Sequence, residues 1–152
     1  MKNSRNDDVR SKSSIWGWTV VLLIALAAAV GHAFGRFSYG VVLPAVRDDM
    51  GITNALAGSI GAANVSAYLL GTIVVAWATS RFRLASVMRL GLVLVTLGLL
   101  IASLATGPWS LSAGLFLTGM GGAFLWIPSP VIAADALPDN QRHLAVGWLG
   151  SG

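Results

Sequence analysis

Between Gly51 and Ser80, and again between Leu90 and Ala134, the chain carries no charged side chain. Uncharged apolar runs of this length read as transmembrane helices, since ~20 such residues span a ~30 Å hydrocarbon layer. Composition agrees: 55% of residues are hydrophobic, 11% are charged and mean hydropathy is +0.74, whereas a soluble domain carries about 25% charged residues. The predicted fold class is all-α, a polytopic membrane helix bundle. Cysteine is absent, which removes disulfides, thiol nucleophiles and Cys-based metal sites. The net charge of +4 is spread along the chain rather than gathered into a basic patch, and it argues topology rather than nucleic-acid binding.

Residues 1–14 form a polar segment of mixed charge, read as a short disordered cytoplasmic tail. The apolar run after it is long for a signal sequence, and further spans follow; it is read as an uncleaved first helix. That helix is predicted from about Trp16 to Val42, ahead of Pro44, with Trp16 and Trp18 at the membrane interface. Ala45 to Met50 is predicted as a charged loop. Spans two, three and four are placed at about 55–78, 84–105 and 109–133. The Gly107-Pro108 dipeptide divides the long run, and Pro128 and Pro130 interrupt the end of the fourth span. Gly58, Gly61, Ala62, Ser66 and Gly71 are small residues that let neighbouring helices approach in lipid. Leu144 to Gly152 supplies about 13 Å of helix at ~1.5 Å per residue, too little for a crossing, and is read as an incomplete fifth span of a longer transporter.

The bases set the orientation. Lys2, Arg5, Arg10, Lys12, Arg81, Arg83, Arg89 and Arg142 fall on one side and Arg47 on the other. The positive-inside rule puts the N-terminus in the cytoplasm. Arg36 is left within the first span, where an ionisable group tends to face a bundle interior or a water-filled path. A weak internal repeat joins the first and fourth spans: Gly35, Phe37, Tyr39 and Asp48 match Gly122, Phe124, Trp126 and Asp135 at constant offset. Such a pattern suits an inverted repeat of three-helix units. Ala123 stands where the first copy has Arg36.

The stretch Gly35-Arg36-Phe37-Ser38-Tyr39-Gly40-Val41-Val42-Leu43-Pro44, continuing through Arg47-Asp48-Asp49-Met50-Gly51, resembles the N-terminal half of a major facilitator superfamily permease. Ala57-Gly58 and Ala63-Asn64-Val65-Ser66-Ala67-Tyr68-Leu69-Leu70-Gly71 extend the resemblance, which is nearest to the bacterial YbfB-like branch. It implies four complete helices plus a truncated fifth, part of a six-helix half. It also implies a multi-pass protein of the bacterial inner membrane and secondary active transport of a small solute by alternating access. The family's signature loop between spans two and three is only partly kept. Ala76 and Ser80 stand where its Gly and Asp belong, while Arg81 agrees, and Arg81 and Arg83 are the gating-loop candidates. In span four, Leu115 precedes Gly119 where many members carry an Arg.

His32, Arg36 and Tyr39 share one helix face by their i, i+4, i+7 spacing. If that face lines a cavity, Arg36 suits an anionic group through paired charge-assisted hydrogen bonds; an interfacial position or a structural ion pair is the alternative. The histidine side chain's reference pKa of ~6.5 allows titration near neutrality, which makes His32 a candidate to relay a coupled proton; hydrogen bonding to a neighbouring helix is the alternative. Asn64 and Tyr68 form an i, i+4 pair in span two that either meets solute or ties helices together. Trp126 either stacks on solute or packs against the proline kink. No catalytic constellation, metal-ligand cluster or cofactor motif is present in the sequence. The expected partners are the lipid bilayer, a small-molecule substrate, a coupled proton and the C-terminal part of the transporter, with no nucleic acid. A non-transporting four-span membrane scaffold or partner subunit is the competing function; a small dimeric multidrug exporter lacks its expected membrane-embedded acid here.

Overall fold

The computed structural model describes residues 3–33, 35 and 38–150, and the backbone alone for residues 3–14, 145 and 148–150. Its elements are α1 (Asn3–His32), α2 (Ser38–Met50), α3 (Asn54–Thr79), α4 (Leu84–Ser103), α5 (Pro108–Trp126), α6 (Ser129–Asp135), a 3₁₀ turn (Asp139–Gln141) and α7 (Arg142–Gly150). The described residues contain no strand, and four helical segments are long and apolar enough to cross a membrane: Ile15–His32, Asn54–Thr79, Leu84–Ser103 and Pro108–Asp135. The protein is an all-α membrane helix bundle.

Local chemistry marks the helix ends. Gly51, at φ +60°, takes the left-handed turn after α2 that a side chain would disfavour. Thr53 then caps α3, its hydroxyl accepting from the Leu56 N–H at 3.2 Å, which satisfies one of the otherwise unpaired amides of the first turn. Pro108 begins α5, where its missing N–H removes nothing from the ladder. Pro128 and Pro130 offer no N–H to the carbonyls of Phe124 and Trp126, so α5 stops and the chain resumes as α6.

Two features of the first span depart from the sequence reading. Residues 3–14, read as a disordered tail, continue α1 back to Asn3. No Pro or Gly interrupts this stretch, and a helix already nucleated in the span propagates by one hydrogen bond per added residue. At the other end, the single helix read to Val42 is replaced by α1 to His32, π-helical geometry at Ala33 and Gly35, and a separate α2. α2 runs through Pro44 and takes in Ala45–Met50, read as a loop. Pro44 has no N–H to give the carbonyl of Gly40, four residues earlier, so α2 lacks one bond of its ladder at that point.

α5 is the hub. Buried residues make up 56% of the apolar core of the Pro108–Asp135 span, against 28% in each of the other three. α5 packs along both α3 and α4, while α3 and α4 barely touch. The approach is set by glycines. A Cβ on Gly98 would stand 2.7 Å from the Gly114 carbonyl oxygen and from the Thr118 nitrogen. On the other face, a Cβ on Gly71 would stand 2.9 Å from Ala123 Cβ, and one on Gly119 would collide with the Asn64 carbonyl oxygen. Water-excluded apolar surface gives no preference for protein over lipid, so close backbone packing of this kind is what holds membrane helices together. Around this axis Val75, Ala78, Val87, Ala123 and Phe124 fill the α3–α4–α5 interior. Val21, Ile24, Met88, Val95 and Leu125 join α1 to α4 and α5. Trp18 on α1 donates from Nε1 to Gln141 Oε1 at 3.3 Å, tying the start of the span to the loop after α6.

Replacing Gly98 by Ala is expected to destabilise the protein by about 1–3 kcal/mol through overpacking against backbone that cannot yield. Gly58, whose Cβ would meet nothing within 4 Å, is the contrast: Gly58→Ala is expected to be neutral or stabilising by roughly 0.5–1 kcal/mol from helix propensity. Thermal unfolding in detergent, followed by circular dichroism, checks both.

Candidate functional site

Three of the sequence candidates come together from three helices. His32, at the end of α1, has its ring 4.8 Å from the Trp126 ring at the end of α5, tilted by 32°. The Tyr68 ring of α3 meets His32 edge-on, with centroids 6.2 Å apart and planes at 81°. All three side chains are half-buried. Gly122, one turn before Trp126, gives Tyr68 its floor: a Cβ there would lie 3.7 Å from Tyr68 Cδ2. Edge-to-face and offset ring pairs of this kind contribute about 0.5–1.5 kcal/mol beyond the area they bury. The cluster gathers polar and aromatic side chains at the junction of α1, α3 and α5.

Asn64 and Tyr68, one turn apart on α3, do different things. Tyr68 joins the rings, whereas Asn64 is 4% exposed and turns into the helix junction. Its Nδ2 lies 2.6 Å from the Leu115 carbonyl, 3.0 Å from the Gly35 carbonyl and 3.1 Å from Thr118 Oγ1. Three oxygens around one nitrogen fix the amide orientation. Thr118, 1% exposed, reaches Gly35 O at 3.1 Å and Leu115 O at 2.8 Å through its hydroxyl. Asn64 thus acts as a structural tie in the described geometry. Thr118 was not among the sequence candidates. The available signal was a hydroxyl in a glycine-rich span, together with an Asn on span two that needed acceptors at the same depth.

Tyr39 has no ring contact with this cluster among the interactions described. It is 7% exposed, its hydroxyl donates to the Ala57 carbonyl at 2.9 Å, and it packs with Ile60, Leu111 and Leu115. Arg36 lies outside the described residues. The gating-loop candidates lie at one end of the bundle: the Arg81 guanidinium is 5.9 Å from the Trp77 ring centroid, and Arg83 is the exposed residue from which α4 starts. The two ion pairs among the described residues, Arg47–Asp48 at 2.6 Å and Arg142–Asp139 at 3.2 Å, are also at helix ends and solvent-accessible. Such pairs contribute about 0–1 kcal/mol.

Chemistry elsewhere is sparse. No group of three or more His, Cys, Asp or Glu among the described residues is placed to hold a metal. A groove of about 270 Å³ between α1 and α4 is lined by Leu26, Val30, Leu92, Val95, Leu99 and neighbours. Its one hydroxyl, on Thr96, donates to the Leu92 carbonyl at 2.8 Å, leaving an apolar wall.

Removing the Tyr39 hydroxyl separates the tie role from the ring cluster. Tyr39→Phe is expected to lower stability by about 0.5–1.5 kcal/mol, the net value of one hydrogen bond. It is expected to leave the near-ultraviolet dichroism of the Trp126 environment unchanged.

Residues 25–152 match the family model described as Major Facilitator Superfamily. Comparison with curated proteins and with solved structures finds no match.

Proposed function

The chain belongs to the major facilitator superfamily, whose members are membrane transporters of small solutes, and from that premise we propose that it takes part in secondary transport by alternating access. In this reading the junction of α1, α3 and α5 is one wall of the solute path, and further helices of the same transporter supply the other wall. The observation that carries it is the convergence of His32, Tyr68 and Trp126 from three spans. Structural cores of membrane bundles do not require half-buried polar aromatics to meet at one place, whereas a binding surface needs convergent groups on separate rigid elements. In this reading His32 carries a coupled proton.

The solute is proposed to be anionic. Arg36 is the one formally charged residue between Ile15 and Val46, and no acid lies in any of the four apolar spans before Asp135 at the last one's end. A cation in that setting seeks a carboxylate, sulfonate or phosphate group. The gating role of Arg81 and Arg83, the N-terminus in the cytoplasm, the bacterial inner membrane and the YbfB-like branch are further parts of the same proposal. They are supported by the distribution of bases and by the motif stretch from Gly35 to Gly51.

The absence of cysteine makes the test direct. A single cysteine at position 32, in protein reconstituted into liposomes, is treated with sulfonatoethyl or trimethylammonioethyl methanethiosulfonate. Rates are normalised to those of a free thiol in solution. The expected result is reaction with both reagents and a preference of about tenfold for the anionic one, well within what a nearby unit charge supplies in a low-dielectric cavity. Arg36→Gln is expected to abolish the preference. No reaction from either side of the membrane would sink the cavity and leave the scaffold reading, and a preference for the cationic reagent would sink the anionic solute.

A further inference from the structure

We propose that Asn64 and Thr118 are positioning residues for the proposed solute path: by holding the Gly35 carbonyl they fix the π-helical turn from which α1 presents His32. The inference rests on the transport reading above and adds to it two residues from outside the ring cluster.

α1 passes into π-helical geometry at Ala33 and Gly35, directly after His32 and directly before Arg36 in the chain. A π turn is a rare departure from the i→i+4 ladder, and in lipid it persists only where side chains or neighbouring helices answer the backbone groups it displaces. Both Asn64 Nδ2, at 3.0 Å, and Thr118 Oγ1, at 3.1 Å, reach the Gly35 carbonyl. A Cβ on Gly35 would stand 3.5 Å from Thr118 Cβ, so α1 is seated on α5 at this residue.

An amide NH₂ brings two protons and a threonine hydroxyl one. Leu115 O, Gly35 O and Thr118 Oγ1 lie 2.6, 3.0 and 3.1 Å from Asn64 Nδ2. The Thr118 hydroxyl reaches Leu115 O at 2.8 Å and Gly35 O at 3.1 Å. Side chains of α3 and α5 thus meet the Gly35 carbonyl of α1 in one hydrogen-bonded relay. A fully satisfied buried network of this kind specifies one arrangement; a partly satisfied one does not. The same carbonyl adjoins Arg36 in sequence and lies three residues from His32, so the relay sets the register at which α1 faces Tyr68 and Trp126.

A merely structural bond would affect stability alone, and the test separates the two. The readout is the rate of methanethiosulfonate modification of a single cysteine at position 32 in the reconstituted protein. Asn64→Ala and Thr118→Val are each expected to slow it about fivefold, the population shift equivalent to one net hydrogen bond. Thr118→Ser, which keeps the hydroxyl, is expected to restore the unsubstituted rate. Gly17→Ala is the control: its Cβ would meet the Ala136 carbonyl oxygen and Leu137 Cδ2, about 22 Å along α1 from His32 at ~1.5 Å per residue. It is expected to lower thermal stability and leave the rate unchanged. Thr118→Val with its Ser rescue carries the test where Asn64→Ala fails to insert. Unchanged rates in Thr118→Val, failure of Thr118→Ser to restore the rate, or an equal loss in Gly17→Ala would overturn the proposal. A cysteine at 32 that never reacts, even in the parent, would overturn the transport reading on which it rests.

Discussion

The approach of α5 to both α3 and α4 at backbone distance is the constraint from which the other features follow. Lipid tails are as apolar as leucine, so side-chain hydrophobicity does not drive these helices together. What does is a face of α5 built from Gly114, Gly119, Gly121 and Gly122, matched by Gly91 and Gly98 on α4 and Gly71 on α3. At this separation carbonyls and short polar side chains come within hydrogen-bonding reach of the next helix. Gly119 is the clearest case, because a side chain there would meet the Asn64 carbonyl. Were α3 held off, the Asn64 amide could not reach Leu115 O and Thr118 Oγ1 on α5.

From that approach the order of events runs to the site. The small face admits Asn64 and Thr118 to the junction; their donors answer the Gly35 carbonyl; α1 changes helical geometry there. One helical turn nearer the other end of the bundle, Gly122 leaves room for Tyr68, which meets His32 as His32 meets Trp126. The polar groups are few, and those buried in the described structure are satisfied. The charged groups with described partners stay at helix ends, where water screens them. Among the described residues, polar and aromatic side chains from three spans meet at this junction, and that is where we propose the solute passes.

Much of the fold was legible because length and charge are what lipid selects. The long uncharged runs, the Gly107-Pro108 break and the basic residues between spans three and two mark elements by physics that acts locally. The first span was harder. No pattern in Gly31–Gly40 distinguishes a continuous helix from one that changes geometry at Ala33 and Gly35, because the donors that meet the Gly35 carbonyl come from Asn64 and Thr118, distant in sequence. The same holds for Asn64 and Tyr68. Their i, i+4 spacing places them on one face, yet one side chain enters the junction and the other meets a ring, according to which neighbour is nearest. Spacing put Tyr39 on the helix face of His32 and Arg36, but a carbonyl on α3 takes its hydroxyl.

The central claim is that backbone approach at α5 sets the geometry of the proposed path, and Gly119→Ala tests it most directly. The measurement is the reactivity of a single cysteine at position 126 toward sulfonatoethyl methanethiosulfonate in Gly119→Ala and in the parent, at a temperature where both are folded by circular dichroism. The added methyl must push α3 from α5 at Asn64, so the rate is expected to change about fivefold, in step with the loss of one junction hydrogen bond. An identical rate in a folded Gly119→Ala protein would contradict the account, because the rings would then hold their places without the approach.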